Sequence, residues 1–221
     1  MSADYGMFSM GDYGMDLIEM VIYSDYICPW CYVGQGVVEK LRKEYPMAIT
    51  WRPYFLRPDI PPEGMDIPEE LNDHMAEIGE RLKQMADEAG LEMVFPKHMP
   101  NTRLAHEATE YADQKGKGFE FHREVFARFY GKGEDIGQWQ VLQSAAKAVG
   151  LDADEMKRQV EEGKYTQAVQ DHIAEAVKWG IESVPTYIIN SRYAIVGAQP
   201  YDRFLEVIQR IDLPHNQESI Q

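Results

Sequence analysis

Strand-like and helix-like periodicities are segregated along this chain, and their order restricts the fold more than any other feature. Leu17 to Tyr23 (LIEMVIY) is an apolar, β-branched run that reads as a buried strand. Pro29 lies just inside a helix start, where its missing N–H does no harm, and Val37, Val38 and Leu41 carry that helix toward Pro46. Met47 to Phe55 alternates as a second strand, with Pro53 making its far end an edge or a bend. After the Pro-rich connector 57–66 the texture changes to helix: Glu69–Ala89, Arg103–Lys115, Phe119–Tyr130, Gln138–Val149 and Ala153–Glu162. Asp152, with Glu155 three residues later, has capping-box spacing. A further helix, Tyr165 to Trp179, leads into Val184–Ile189, a turn at Asn190-Ser191, and Tyr193–Val196, which together predict a hairpin. The amphipathic segment Tyr201–Ile211 closes the pattern.

The order β–α–β, then helices, then β–β–α predicts an α/β fold in which two end segments build one sheet and an all-helical insertion interrupts it. The expected divisions are a mobile tail over 1–16, the two parts of the sheet domain over 17–62 and 164–213, the insertion over 63–163, and a C-terminal tail over 214–221. The first tail carries a small repeat, Asp4-Tyr5-Gly6-Met7 and Asp12-Tyr13-Gly14-Met15. At 221 residues and 44% apolar composition the chain can bury one sizeable core. Its formal charge of −15, from 37 acidic and 22 basic residues, argues against nucleic acid or an anionic membrane as partner. The sequence holds no apolar run long enough for a membrane span, and its start lacks the basic and apolar regions of a secretory signal. The expected compartment is therefore the cytosol, where stable structural disulfides are rare.

The two cysteines of the chain, Cys28 and Cys31, sit together in Ile27-Cys28-Pro29-Trp30-Cys31-Tyr32. Such a pair can be a staple, part of a zinc site, or a redox dithiol. Zinc needs further ligands; no second cysteine pair exists, and no two of the histidines at 74, 98, 106, 122, 172 and 215 are separated by about three to five residues, so no metal is expected. A staple would close a tiny loop for little entropic gain. The redox reading has positive support: the pair follows a strand and opens a helix, so Cys28 meets the unpaired N–H groups and dipole of the helix start. In such settings C-x-x-C thiols have pKa values of about 3.5 to 7.5. Cys28 is then the nucleophile and Cys31 the resolving thiol.

These residues resemble the thioredoxin superfamily, in particular its DsbA-type branch, whose catalytic domain is split by a helical insertion. The resemblance rests on LIEMVIY, Cys28-Pro29-Trp30-Cys31, the inserted helices and Val184-Pro185-Thr186. It implies that the Val184–Pro185 bond is cis and faces the thiols, presenting the Val184 backbone to an extended substrate. The chain is more closely similar to cytosolic dithiol–disulfide isomerases of polyketide biosynthesis. That similarity lies in Ser24–Gly34, Asn101–His106, Gly180–Thr186 and Gly197–Pro200. Trp30 stands where DsbA carries His, so strong oxidant behaviour is not implied.

Other positions keep two readings. Asp25 is an acid/base that helps Cys31 deprotonate, or a loop carboxylate. Asn101 and His106 overhang the thiols from an inserted helix, or Asn101 caps that helix. Pro29 and Trp30, with Tyr32, form an apolar rim for substrate, or pack plainly. The expected activity is thiol–disulfide exchange or isomerisation on protein or small-molecule disulfides, without a bound cofactor and with glutathione as a candidate reductant. Two alternatives are a glutathione-dependent transferase or isomerase of the kappa or 2-hydroxychromene-2-carboxylate type, and a non-catalytic holdase. The first uses a hydroxyl where Cys28 sits, so the intact C-x-x-C tells against it. A second copy of the chain is a further candidate partner.

Overall fold

Ile18, Met20 and Ile22 are buried along one face of β1 (Ile18–Ser24), and the sheet is built outward from that strand. In this computed structural model, which describes residues 17–211 with the side chains of 69–75 excepted, β1 pairs in parallel with β2 (Met47–Pro53). Its other neighbour is the antiparallel β5 (Thr186–Ile189), which pairs in turn with β6 (Tyr193–Val196), giving the order β2-β1-β5-β6. Parallel neighbours need a crossover, and α1 (Pro29–Glu44) supplies it. Pro53 ends an edge strand, where a missing N–H breaks no ladder bond. Asn190 and Ser191 both have positive φ, 48° and 53°, the conformation that joins two strands through a primed two-residue turn. The DYGM repeat and the polar C-terminal end lie outside the described residues.

Between β2 and β5 run α2 (Glu69–Glu88), α3 (Arg103–Gln114), α4 (Gly118–Phe126), α5 (Trp139–Ala148), α6 (Ala153–Glu161) and α7 (Thr166–Lys178), while α8 (Tyr201–Ile211) follows β6. The fold is therefore α/β, a thioredoxin-like sheet domain interrupted by helices. Asp152 caps α6 through the N–H groups of Asp154 and Glu155, at 3.1 and 2.9 Å. The Glu155 carboxylate instead accepts from the Tyr111 hydroxyl at 2.7 Å. None of the described helices is long and apolar enough to cross a membrane.

Three local features depart from the periodicity. The segment predicted helical to Tyr130 leaves α geometry at Phe126 and passes through a π turn, Ala127–Gly131. The connector contains β3 (Met65–Asp66), paired with β4 (His98–Met99) on the far side of α2. Val184 and Pro185 precede β5 rather than opening it, since proline has no N–H to give the ladder.

One apolar cluster lies against the sheet and includes Met20, Ile22, Val38, Leu41 and Phe204. The other fills the insertion with Phe121, Phe126, Leu142 and Met156, and it extends to Tyr26, Cys28, Cys31 and Val184 at the sheet's end. The thiols thus lie where the two halves of the molecule meet.

Candidate functional site

Cys28 is the last non-helical residue before α1, extended at φ −90° and ψ 111°, with Pro29 next. Its N–H donates to the Asp25 carbonyl at 3.0 Å, and its own carbonyl accepts from the N–H of Cys31 at 3.1 Å. Both thiols are free and buried, Cys28 at 3% exposure and Cys31 at 1%. From the other end of the chain, the Val184 carbonyl accepts from Cys28 Sγ at 3.5 Å, and the Val184–Pro185 peptide is cis. Gly34, within α1, makes this approach feasible: a Cβ there would collide with the Tyr187 hydroxyl and stand 3.5 Å from Pro185 Cγ.

The two sulfurs sit in different fields. Burial pushes the Cys31 thiol well above its ordinary range, and the adjacent Cys28 sulfur adds to this. The Asp25 N–H and the Ser24 hydroxyl pull it the other way, although Ser24 Oγ has no partner in full hydrogen-bond geometry. Asp25 is fully buried: Oδ2 accepts from the Leu56 N–H at 2.7 Å, and Oδ1 stands 3.4 Å from the Ile27 nitrogen and 3.5 Å from His106 Nε2. The His106 ring packs against Tyr26 and Phe55, with centroids 4.9 and 5.4 Å apart. Asn101 turns elsewhere, accepting from the Arg103 N–H at 3.0 Å and donating to the Ile60 carbonyl at 2.6 Å, so it ties the connector to the start of α3. Trp30 is half-buried with the Arg81 guanidinium 5.3 Å from its ring centre. Among the described residues no three His, Cys, Asp or Glu side chains gather as metal ligands.

Sequence reasoning missed Tyr130. The π turn delivers its hydroxyl to the Ile27 carbonyl at 2.7 Å, and its ring stacks on Tyr32 at 5.3 Å. The Tyr32 hydroxyl bonds the Glu92 carbonyl at 2.6 Å, and the Val94 N–H bonds the Tyr130 carbonyl at 2.6 Å. The insertion therefore grips the residue before Cys28 and the first turn of α1 together. In sequence Tyr130 reads as one more aromatic on a core face; the extra residue of a π turn, which changes its direction, leaves no local signal. Tyr130→Phe, which strips the Ile27 carbonyl of its donor, is expected to lower the free energy of unfolding in urea by about 1–2 kcal/mol. An unchanged midpoint would show that the bond contributes nothing.

A pair of free thiols at a helix start, met by a distant Val-Pro segment on an interrupted sheet, is the arrangement of a thioredoxin-like fold. The chain belongs to the family of DsbA-like thioredoxin domains, thiol–disulfide oxidoreductases, whose pattern matches residues 19–209. It is 32% identical over 198 residues to protein YwbO of Bacillus subtilis (strain 168), spanning 86% of this chain and 96% of YwbO. Its fold is similar to that of the "probable DsbA oxidoreductase" of Streptomyces coelicolor, with a TM-score of 0.77 at 23% identity over 87% of this chain and 89% of that one. It is also similar to a 2-hydroxychromene-2-carboxylate isomerase, with a TM-score of 0.72 at 17% identity over 87% and 94% of the respective chains. At these identities the likeness is one of fold, so the chemistry has to be argued from the site.

Proposed function

We propose that the protein catalyses thiol–disulfide exchange on protein or small-molecule disulfides, with Cys28 as nucleophile and Cys31 as resolving thiol. The observation that carries this reading is the contact between Cys28 Sγ, at the start of α1, and the Val184 carbonyl, beside the cis Pro185. The Cys28 thiolate attacks one sulfur of R–S–S–R′, the S–S bond breaks, and R′S⁻ leaves. Cys31 then loses its proton and attacks Cys28 Sγ, releasing RS⁻ and leaving the Cys28–Cys31 disulfide. A reducing thiol, for which glutathione is the natural candidate, regenerates the dithiol. Release of the client before Cys31 attacks makes the same chemistry an isomerisation.

In this reading the Val184 carbonyl, now bonded by the thiol, accepts from the backbone of an extended client, and Pro29 and Trp30 serve as an apolar rim. Asp25 and His106, 3.5 Å apart beneath the loop, are candidates for handling the Cys31 proton. In a cytosolic setting, at a poise of roughly −220 to −320 mV, the pair would rest as the dithiol and work as a reductant. Similarity of fold to the 2-hydroxychromene-2-carboxylate isomerase keeps glutathione-dependent chemistry as the rival, against which the paired thiols stand.

Cys31→Ser is expected to accumulate a mixed disulfide with a reduced-and-reoxidised client peptide, visible by mass spectrometry, whereas Cys28→Ser accumulates none and does not reduce insulin. Insulin reduction at the parent rate by Cys28→Ser would end this reading. Glutathione conjugation indifferent to Cys31→Ala would favour the rival.

A further inference from the structure

Among the described residues, seven buried side-chain nitrogen or oxygen atoms lack a hydrogen-bond partner, and five belong to residues lining one cavity. They are Ser24 Oγ, Trp51 Nε1, Arg52 Nε, His106 Nε2 and His122 Nδ1, with Glu110 completing the wall. Buried polar groups are normally paired, so this gathering points to a small polar ligand; His106 Nε2 and Arg52 Nε have carboxylate oxygens at 3.5 and 3.9 Å, which leaves Ser24, Trp51 and His122 for it to pair. The cavity is small, with room for about a single water. Its chemistry agrees. Trp51 Nε1–H can only donate, so the occupant must accept; the Glu110 carboxylate can only accept when ionised, so the occupant must also donate, while Arg52 Nε lies 3.9 Å from Glu175 Oε2. Arg52 opposes a cation and Glu110 opposes an anion. The Trp51 and His122 rings are stacked at 3.6 Å and 13°, which fixes their nitrogens, and burial keeps His122 uncharged.

The cavity also lies between a thiol and the surface. On one side Ser24 ends β1, and its hydroxyl acts on the Cys31 thiol against the rise that burial causes. On the other, Glu110 Oε1 is 3.5 Å from His172 Nε2, which is 3.3 Å from Arg52 Nη1. Glu110 and His172 side chains are 13% and 20% exposed. We propose that this cavity holds a water through which the resolving thiol exchanges its proton with solvent, along Cys31 Sγ, Ser24 Oγ, the water, Glu110 and His172. When Cys31 attacks Cys28 Sγ, its sulfur lone pair forms the new S–S bond and the Cys28–client bond breaks, its electron pair leaving on the client thiolate. The Cys31 proton passes to Ser24 Oγ as the Ser24 proton passes to the water and a water proton to Glu110, from which His172 and solvent remove it. His106 lines this cavity and stands 3.5 Å from Asp25 Oδ1, so its ring separates the buried carboxylate from the water. Ser24 takes part in the proton transfer directly, whereas Trp51 is a positioning residue that holds the water; neither touches the client.

The proposal rests on the oxidoreductase reading, and one experiment separates the two. Reduced full-length protein mixed with dithiobis-nitrobenzoate in a stopped flow should release nitrothiobenzoate in two phases, the first from attack by Cys28 and the second from attack by Cys31. Ser24→Ala and Trp51→Phe are expected to slow the second phase by about a hundredfold, at the low end of what an acid–base partner contributes, and leave the first unchanged. Ser24→Thr, which restores a hydroxyl, is expected to recover the parent rate. Should Trp51→Phe fail to fold, Glu110→Gln tests the same chain from its outer end. A second phase untouched by these changes, or both phases slowed together, overturns the proposal and leaves the dithiol reading standing. If Cys28→Ser still gives both phases, the dithiol reading falls and the relay falls with it.

Discussion

Raising the pH from about 10 to about 11 should remove about 4 kcal/mol of the reduced protein's stability, since each of four buried acids contributes about 1 kcal/mol over a unit in which its unfolded counterpart is half or more ionised. The acids are Cys31, Tyr26, Tyr130 and Tyr187, all nearly or fully buried, and burial is the largest cause raising each of them above the ordinary 9.0 of a thiol or 10.0 of a phenol. The neighbouring thiols add to the rise at Tyr130 and Tyr187. The sign follows directly. Above pH 9.0 to 10.0 the unfolded chain loses these protons and the folded one keeps them, so the folded state binds more protons and stability falls as pH rises. Below those values the contribution is fully present. Because whole domains are stable by only about 5–15 kcal/mol, unfolding should be complete within one to two pH units. Urea midpoints measured across this range, with phenolate absorbance and helical dichroism recorded together, check it. Helices that persist, with an unchanged urea midpoint, as the pH passes about 11 would refute the claim, and Cys31→Ala should flatten the earliest part of the decline.

The features legible in the sequence were those fixed by local rules. Alternation and β-branching located the strands, Pro29 marked a helix start, Asn190-Ser191 marked a turn, and Asp152 marked a cap. Each follows from the conformational limits of a few consecutive residues. The π turn was not legible, because one added residue leaves the composition of a helical stretch unchanged while rotating everything after it. The pairing of Met65–Asp66 with His98–Met99 was equally hidden: two residues carry no periodicity, and the partners are separated by all of α2.

The thiols were legible because their chemistry is written in residue type and spacing. The late Val184-Pro185 took its meaning from a resemblance, since nothing in residues 184–185 alone says which sulfur they approach. The cavity could not be read at all. Ser24, Trp51, His106 and His122 come from four separate elements or loops, and in sequence each is an ordinary strand or helix residue. Only tertiary packing leaves their polar atoms facing one another, which is why Asp25 and His106 could be suspected singly but not as neighbours 3.5 Å apart.

Gly34→Ala is where local and tertiary rules give opposite signs, and magnitudes decide between them. Inside α1 an alanine should stabilise the helix by about 1 kcal/mol relative to glycine. Against this, its Cβ would strike the Tyr187 hydroxyl and crowd Pro185 Cγ. Tyr187 cannot swing aside cheaply: it is 1% exposed, packs edge-on against Phe204 at 4.9 Å and 87°, and belongs to β5, which is paired with β1. Overpacking of this kind costs about 1–3 kcal/mol, so alanine should be net destabilising and Gly34→Val, with two further carbons, more so. The strain is also directed. It pushes β5 and Pro185 away from α1, and with them the Val184 carbonyl that meets Cys28 Sγ at 3.5 Å. A displacement near 1 Å at a reacting centre can cost about a hundredfold in rate, so exchange should fall further than the melting temperature suggests. Melting curves and the first phase of nitrothiobenzoate release, measured on Gly34→Ala, test both parts. A variant more stable than its parent would mean that helix propensity outweighs the contact, and that the approach of Pro185 to the dithiol does not depend on the missing side chain.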